Sequence, residues 1–253
     1  MVPVDPAVIG EMASSELAGT VQPGSPAVAG EVAATAAPVA TPGPTCAPPP
    51  PDARPAALAY RGSTARKVVA LTFDDGQDAA NTQRILDALR QMGVMATFFP
   101  TGHAVEANPS GWRAIAAAGF PIANHTYAHR ILAGRCYAAQ LSDLTRQRAA
   151  LRSAGITSFP VMRPPGGSWD RVTRLAAGAA GERAVVMWDI DTRDWAGASA
   201  WEIARSALAG REGSIILMHT FVANTAAALP SIISGYRARG FTFVTVGTML
   251  GID

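Results

Sequence analysis

Asp74 and Asp75 stand side by side at the end of an apolar run. Adjacent carboxylates after a buried segment repel each other and lose hydration, and a bound cation or an arginine relieves both costs. A helix N-cap accounts for one such aspartate; two are harder to place that way. His125 and His129 follow another short apolar run with the spacing His-x-x-x-His. On one helical turn, residues four apart share a face, so both imidazoles can reach one ion. Two histidines and a carboxylate leave coordination positions open for water and substrate. The same spacing also fits a histidine stacked in a helical turn with no ligand role. His219 follows the apolar residues 215–218, and Asp194 is its candidate orienting carboxylate. Such a pair keeps an imidazole protonated near neutral pH, as a general acid requires. A lone histidine at a strand end can equally be structural, and Asp194-Trp195 a simple turn. Asp191 reads as a site-shaping residue, Asp189 as a strand-end hydrogen-bonder, and His103 as structural or substrate-facing.

These residues need a scaffold that brings them together. From Lys67 onward short β-rich runs alternate with helix-like stretches. The pattern predicts strands over 68–73, 95–99, 120–123, 159–162, 184–188, 214–218 and 241–244. It predicts helices over 81–92, 112–118, 138–153, 171–179, 200–209 and 226–239. Gly93, Gly119, Gly155, Gly210 and Gly240 close several of these helices, where a left-handed residue is favoured. Alternating β and α units imply a mainly parallel sheet covered by helices. The expected architecture is α/β, an incomplete or distorted (β/α) barrel, with an open doubly wound sheet as the alternative. In either, function collects past the C-terminal ends of the strands. The polar clusters fall at those ends, so parallel strands put them on one rim.

Residues 1–57 are rich in Pro, Ala, Gly, Val, Ser and Thr, with Pro48 to Pro51 in a row. Proline removes backbone donors and fixes φ, so this segment reads as disordered or as an extended polyproline II stalk. Cys46 and Cys136 are too few for a disulfide scaffold; they form one bridge or are two unrelated thiols. A bridge would pin the proline-rich arm against the barrel. Hydrophobic residues make up 49% of the 253, enough for a substantial core, and the net charge is only +2. No Lys/Arg run marks a nucleic-acid partner, and no apolar run is long enough to span a bilayer. Residues 1–24 lack the charged and apolar regions of a signal peptide. The chain is either cytosolic or begins after a removed leader, and the stalk favours the second.

The motifs Thr72-Phe73-Asp74-Asp75-Gly76, His125-Thr126-Tyr127-Ala128-His129, Arg163-Pro164-Pro165-Gly166, Asp191-Thr192-Arg193-Asp194-Trp195 and Leu217-Met218-His219 occur in this order. Together they resemble the motif set of carbohydrate esterase family 4, the NodB-like polysaccharide deacetylases, over roughly residues 66–250. The resemblance implies a distorted (β/α) barrel holding a divalent metal, usually zinc, with cobalt or another transition metal as a substitute. It implies Asp75, His125 and His129 as metal ligands, Asp74 as general base, and Arg163 as the residue that orients and tunes Asp74. His219 would protonate the leaving amine, tuned by Asp194, while Trp195 and Leu217 would line a pocket for the acetyl methyl group. The family usually carries an aromatic residue where this chain has Gly166; the backbone N–H that serves the oxyanion is retained, but the ring is missing. Gln77 also departs from the usual residue after the first motif. Residues 58–253 would then be the catalytic domain and 1–57 a linker or stalk. The expected protein is an extracellular or cell-wall-associated monomer that removes N-acetyl groups from a glycan such as chitin oligomers or peptidoglycan. An O-acetyl xylan esterase using the same site, and a catalytically inactive wall-binding domain, are the alternatives. A metallopeptidase ranks low, because the His-Glu-x-x-His spacing is absent.

Overall fold

The computed structural model describes residues 46–252. Eight strands occur among them: β1 (Ala57–Ala59), β2 (Val68–Asp75), β3 (Thr97–Pro100), β4 (Val161–Met162), β5 (Ala184–Val186), β6 (Ile190–Asp191), β7 (Ile215–His219) and β8 (Thr242–Phe243). They alternate with α1 (Ala79–Gln91), α2 (Gly102–Ala107), α3 (Pro109–Ala117), α4 (Tyr137–Ser153), α5 (Arg171–Ala179), α6 (Ala200–Ala207), α7 (Ala223–Ala238) and α8 (Val246–Leu250). Every strand pairing is parallel. One sheet runs β3-β2-β7-β6, with β8 also on β2, and the other runs β1-β5-β4. Single parallel bridges, Phe98 with Ile122 and Asn124 with Met162, join the two. The result is a distorted (β/α) barrel that does not close completely.

β2 is the central strand and is buried along its whole length. Side chains alternate across a strand. Val69, Leu71 and Phe73 therefore pack among residues of α1, α3, α6 and α7, such as Leu86, Trp112, Ile203 and Ile232. Ala70 faces the other way, toward Phe99, Val161, Val186 and Ile215. Thr72 and Asp74 share the parity of Ala70, so the period of two carries Asp74 to the inner side.

The helices predicted from apolar spacing are present, and that over Arg171–Ala179 begins behind an Asp170 capping box with Thr173. The structure adds β1, β6, α2 and α8, which are short and carry little periodic signal. The strand predicted over 120–123 shrinks to the bridge at Ile122, because Phe120 and Pro121 lead in from the helix and proline cannot donate to a ladder. Four of the five predicted terminating glycines adopt positive φ (Gly93, Gly119, Gly155 and Gly240), but Gly210 does not. Gly210 is small for another reason: a Cβ there would come within 2.2 Å of the Tyr236 hydroxyl oxygen.

Most of the proline-rich segment lies outside the described residues. Its last part, residues 46–56, has neither helix nor strand, as proline requires. Ala56 is buried, and its N–H donates to the Arg174 carbonyl of α5. β1 then brings in Ala57, one residue before the boundary read from composition. The sulfurs of Cys46 and Cys136 are bonded, with Cα atoms 5.1 Å apart, closing a sequence separation of 90 residues. In the chain-entropy account a loop of that length stabilises by about 4–5 kcal/mol. Peptide mapping without reductant should therefore recover Cys46 and Cys136 in one cross-linked fragment, and reduction should lower the melting temperature. Two alkylatable thiols in the unreduced, folded protein would contradict the bridge.

Candidate active site

Asp74 and Asp75 end β2, and Asp74 lies in register with His219 of β7. The Asp74 carbonyl accepts from the Thr220 N–H at 3.1 Å, which locks the two strand ends together. Neither aspartate caps α1; Asp78 does, accepting from the Asn81 N–H at 2.9 Å. The capping explanation for the acid pair is thereby removed. Gly76 follows at φ 93, in a turn where a Cβ would come within 2.4 Å of the Trp112 ring. Only glycine satisfies both conditions without rearrangement.

Both carboxylates are buried, and each finds a different partner. Arg163, fully buried after β4, donates from Nη1 to Asp74 Oδ1 at 2.8 Å and to Thr72 Oγ1 at 2.8 Å. Its Nε and Nη2 donate to the carbonyls of Val186 and Met187, at 3.2 and 3.1 Å. The guanidinium lies over the Phe99 ring at 4.4 Å. Burial pushes the Arg163 pKa down, and the Asp74 carboxylate opposes that shift.

Asp75 meets the histidines. Its Oδ1 lies 3.4 Å from His125 Nε2 and 3.1 Å from His129 Nε2. Among the described residues this buried oxygen has no hydrogen-bond partner. His125 Nδ1 is 2.8 Å from the Arg163 carbonyl, which can only accept. The proton of a neutral His125 therefore belongs on Nδ1, and Nε2 carries a lone pair into the cluster. Asp75, His125 and His129 place one ligand atom each within 4.8 Å of one another. An orphaned carboxylate oxygen facing two imidazole nitrogens is a donor set that fits a divalent transition metal. Burial pushes the Asp75 pKa up, but the nearby imidazoles of His125 and His129 outweigh it and hold it well below the usual carboxylate range. Burial lowers the His125 pKa, yet Asp74 and Asp75 outweigh it and raise the net value. The cluster thus favours positive charge, which a cation supplies.

The histidines do not share a helical turn, contrary to the reading of their spacing. Residues 125–129 form a loop in which Thr126 (φ 63) and His129 (φ 53) are left-handed. Asp75 (φ 80) and Arg193 (φ 55) are the other non-glycine residues of positive φ among the described residues, so all of this strain, about 1–3 kcal/mol each, lies around the site.

Opposite the cluster, His219 Nδ1 is 2.7 Å from Asp194 Oδ1. The buried Asp194 also accepts from the His219 N–H at 2.7 Å, from Thr225 Oγ1 at 2.6 Å and from the Trp195 N–H at 2.9 Å. Burial lowers the His219 pKa, but the Asp194 bond and the attraction of Asp74 raise the net value above 6.5. Asp191 accepts from the Arg193 N–H at 2.8 Å, while Asp189 is tied to Ser214 and to the Ile215 N–H. His103 is exposed and stacks edge-on against Tyr127.

A cavity of about 360 Å³ joins these groups, lined by Asp74, Asp75, His125, His129, His219 and the half-exposed Trp195. Gly166, Leu217, Pro164, Asp191, Trp188 and Phe221 complete the lining. Sequence reasoning did not select Trp188, Phe221 or Thr225. Trp188 ends a predicted strand and Phe221 lies two residues past His219, so position alone marks both; Thr225 carries no local signal. Gly166 sits at φ 60, and a Cβ there would come within 3.1 Å of Ile131 Cδ1.

The family model described as polysaccharide deacetylase matches residues 61–185. A peptidoglycan-N-acetylglucosamine deacetylase of Listeria monocytogenes is 31% identical over 188 residues, covering 73% of this chain and 39% of that protein. The chain thus spans well under half the length of that relative. A chitooligosaccharide deacetylase of Bradyrhizobium is 41% identical over 164 residues, covering 63% of this chain and 74% of that one. The structure of a family 4 carbohydrate esterase from Streptomyces lividans in complex with acetate superposes with a TM-score of 0.66 at 36% identity, covering 73% of this chain and 93% of that one. The motif order, the parallel barrel and these likenesses agree: the chain belongs to the polysaccharide deacetylase family, carbohydrate esterase family 4.

Proposed function

We propose that this chain is a metal-dependent hydrolase that removes N-acetyl groups from a glycan, chitin oligomers or peptidoglycan. One observation carries the reading. A buried, unpartnered Asp75 oxygen faces two imidazole nitrogens, with a carboxylate fixed by Arg163 on one side and an imidazole fixed by Asp194 on the other. The two histidines and the carboxylate suit zinc, with cobalt as a substitute. A bound divalent cation supplies Lewis acidity, which acidifies water and polarises a carbonyl.

The chain's own residues do the rest. Arg163 occupies Asp74 Oδ1, so Oδ2 is the oxygen left to take the proton of the attacking water. The Gly166 N–H serves the developing oxyanion, a preorganised dipole at the cavity wall. An amine leaves poorly unless protonated, and His219, with Nδ1 engaged by Asp194, delivers the proton from Nε2. The C–N bond breaks, acetate departs, and the amine stays on the sugar. Leu217 and Trp195 bound the space for the acetyl methyl group. A cavity of about 360 Å³ falls at the low end of ligand sites, roughly 300–1,000 Å³, and suits one acetamido group with part of its ring. A wall substrate and the proline-rich composition of residues 1–57 support an extracellular or cell-wall location. No helix among the described residues is long and apolar enough to cross a membrane.

Acetate release from chitooligosaccharides and peptidoglycan fragments should disappear with chelator and return with added zinc or cobalt. Faster release from acetylated xylan would instead make the protein an O-acetyl esterase, and glycan binding with no release would make it an inactive wall-binding domain. Asp74→Asn should lower turnover roughly 10²–10⁴-fold while metal binding persists; retained turnover would remove Asp74 from the role of base.

The raised pKa of His219 gives a second test. The stability that its protonated form draws from Asp194 is full below the ordinary value of 6.5 and is lost as pH rises through the raised value. In Asp194→Asn the ring should titrate lower by NMR, and the alkaline limb of kcat/KM should move to lower pH. An unmoved limb would dissociate His219 from the acid step.

A further inference from the structure

The loop between the two candidate metal ligands is held by a carboxylate that belongs to neither motif nor cavity. Asp143, buried in the second turn of α4, accepts through Oδ1 from the Tyr127 N–H at 2.7 Å and the Ala128 N–H at 3.1 Å. These are consecutive backbone donors inside the His125–His129 segment. Successive N–H groups beside a left-handed residue form a concave anion-binding surface, and an ionised acceptor makes such bonds roughly twice as strong as a neutral one. Asp143 Oδ2 is 3.5 Å from Arg135 Nη1, so both oxygens are engaged.

The remaining ties fix the start of the loop more firmly than its end. Asn124 Oδ1 accepts from the Thr126 N–H, and Asn124 Nδ2 donates to Glu182 and to the Leu144 carbonyl. The Tyr127 ring lies under Arg146 at 3.8 Å, and its hydroxyl reaches Glu106. His125 is buried and bonded to the Arg163 carbonyl. His129, by contrast, keeps 45% of its side chain exposed, and among the described residues its N–H has only Thr126 Oγ1 as a partner, at 3.1 Å. The left-handed residues Thr126 and His129 flank the two N–H groups that Asp143 gathers, so its bonds are among the contacts that hold this strained segment.

We infer that Asp143 is a positioning residue of the metal site: by gathering the Tyr127 and Ala128 N–H groups on one carboxylate, it holds His129 within reach of Asp75. This rests on the metal reading above, with Asp143 acting through backbone rather than touching ion or substrate.

The test is zinc affinity, measured on metal-stripped full-length protein by competition with a chromophoric chelator. Asp143→Ala should weaken zinc binding about 10–100-fold, the range for loss of a partner that orients a ligand. Asp143→Asn keeps an oxygen that can accept both bonds and should weaken it less. In a His129→Ala background, Asp143→Ala should change affinity by no more than about twofold, because residues that act as one unit are not additive. Wild-type affinity in Asp143→Ala would overturn the inference, whether or not the melting temperature falls. So would an equal loss in the His129→Ala background, which would mean general loosening. If Asp143→Ala does not fold, the same cycle with Asp143→Asn decides, and unchanged affinity there overturns it. Wild-type protein that binds no zinc would instead overturn the metal reading, and this inference with it.

Discussion

Two carboxylates on consecutive residues of a fully buried strand cannot both stay ionised without compensation, and the rest of the site is arranged around meeting that need. The chain solves the two halves differently. For Asp74 it supplies a buried guanidinium bonded to the carboxylate, to Thr72 and to two carbonyls. Removing either partner of such a pair strands a charge, at a cost of roughly 3–5 kcal/mol. For Asp75 no lysine or arginine arrives among the described residues. Two imidazoles face it instead, one of them with its proton drawn to the far nitrogen by a carbonyl. A protein that needed only stability would pair both acids alike. The asymmetry leaves one side satisfied from within and the other open to an external cation.

That openness is costly to build, and the cost is visible in the backbone. Asp75, Thr126, His129 and Arg193 are non-glycine residues in left-handed conformation, and each sits next to a group of the site. Strain of this kind persists only where surrounding structure over-determines it. Here the surroundings are strand β2 under Asp75, the Asn124 and Asp143 bonds around the histidine loop, and the Asp191 bond to the Arg193 N–H. Rigid parallel strands fix where the loops begin; side chains from neighbouring helices fix how they turn.

The same division explains what the sequence revealed. The central strand, the long helices and the convergence of polar clusters on one rim followed from apolar period and from parallel topology, which are local and repetitive. The helix over Arg171–Ala179 even carries its own start signal at Asp170. β1 and β6 escaped, because strands of two or three residues paired at an edge need no apolar run. The His-x-x-x-His segment is a loop although its spacing predicts a helical turn, because a spacing of four is compatible with both. The contacts that accompany the loop include the acceptor Asp143, fourteen positions beyond His129, which no local pattern announces. Thr225, holding Asp194 from α7, is hidden for the same reason.

The departure at Gly166 shows how chemistry and selectivity are separated in this site. The residue lies in left-handed conformation, and the Ile131 side chain stands 3.1 Å from where its Cβ would be. A side chain placed on this backbone would meet both the strained φ and the tip of the Ile131 side chain, which would have to give way slightly. Ile131, aliphatic and exposed, neighbours Gly166, and Trp188, aromatic and lining the cavity, packs against Gly167. Nothing in this exchange touches Asp74, Asp75, His125, His129 or His219. On the proposed reading, a change at Gly166 therefore leaves the reacting groups in place and bears on how the glycan is seated rather than on how its bond is broken.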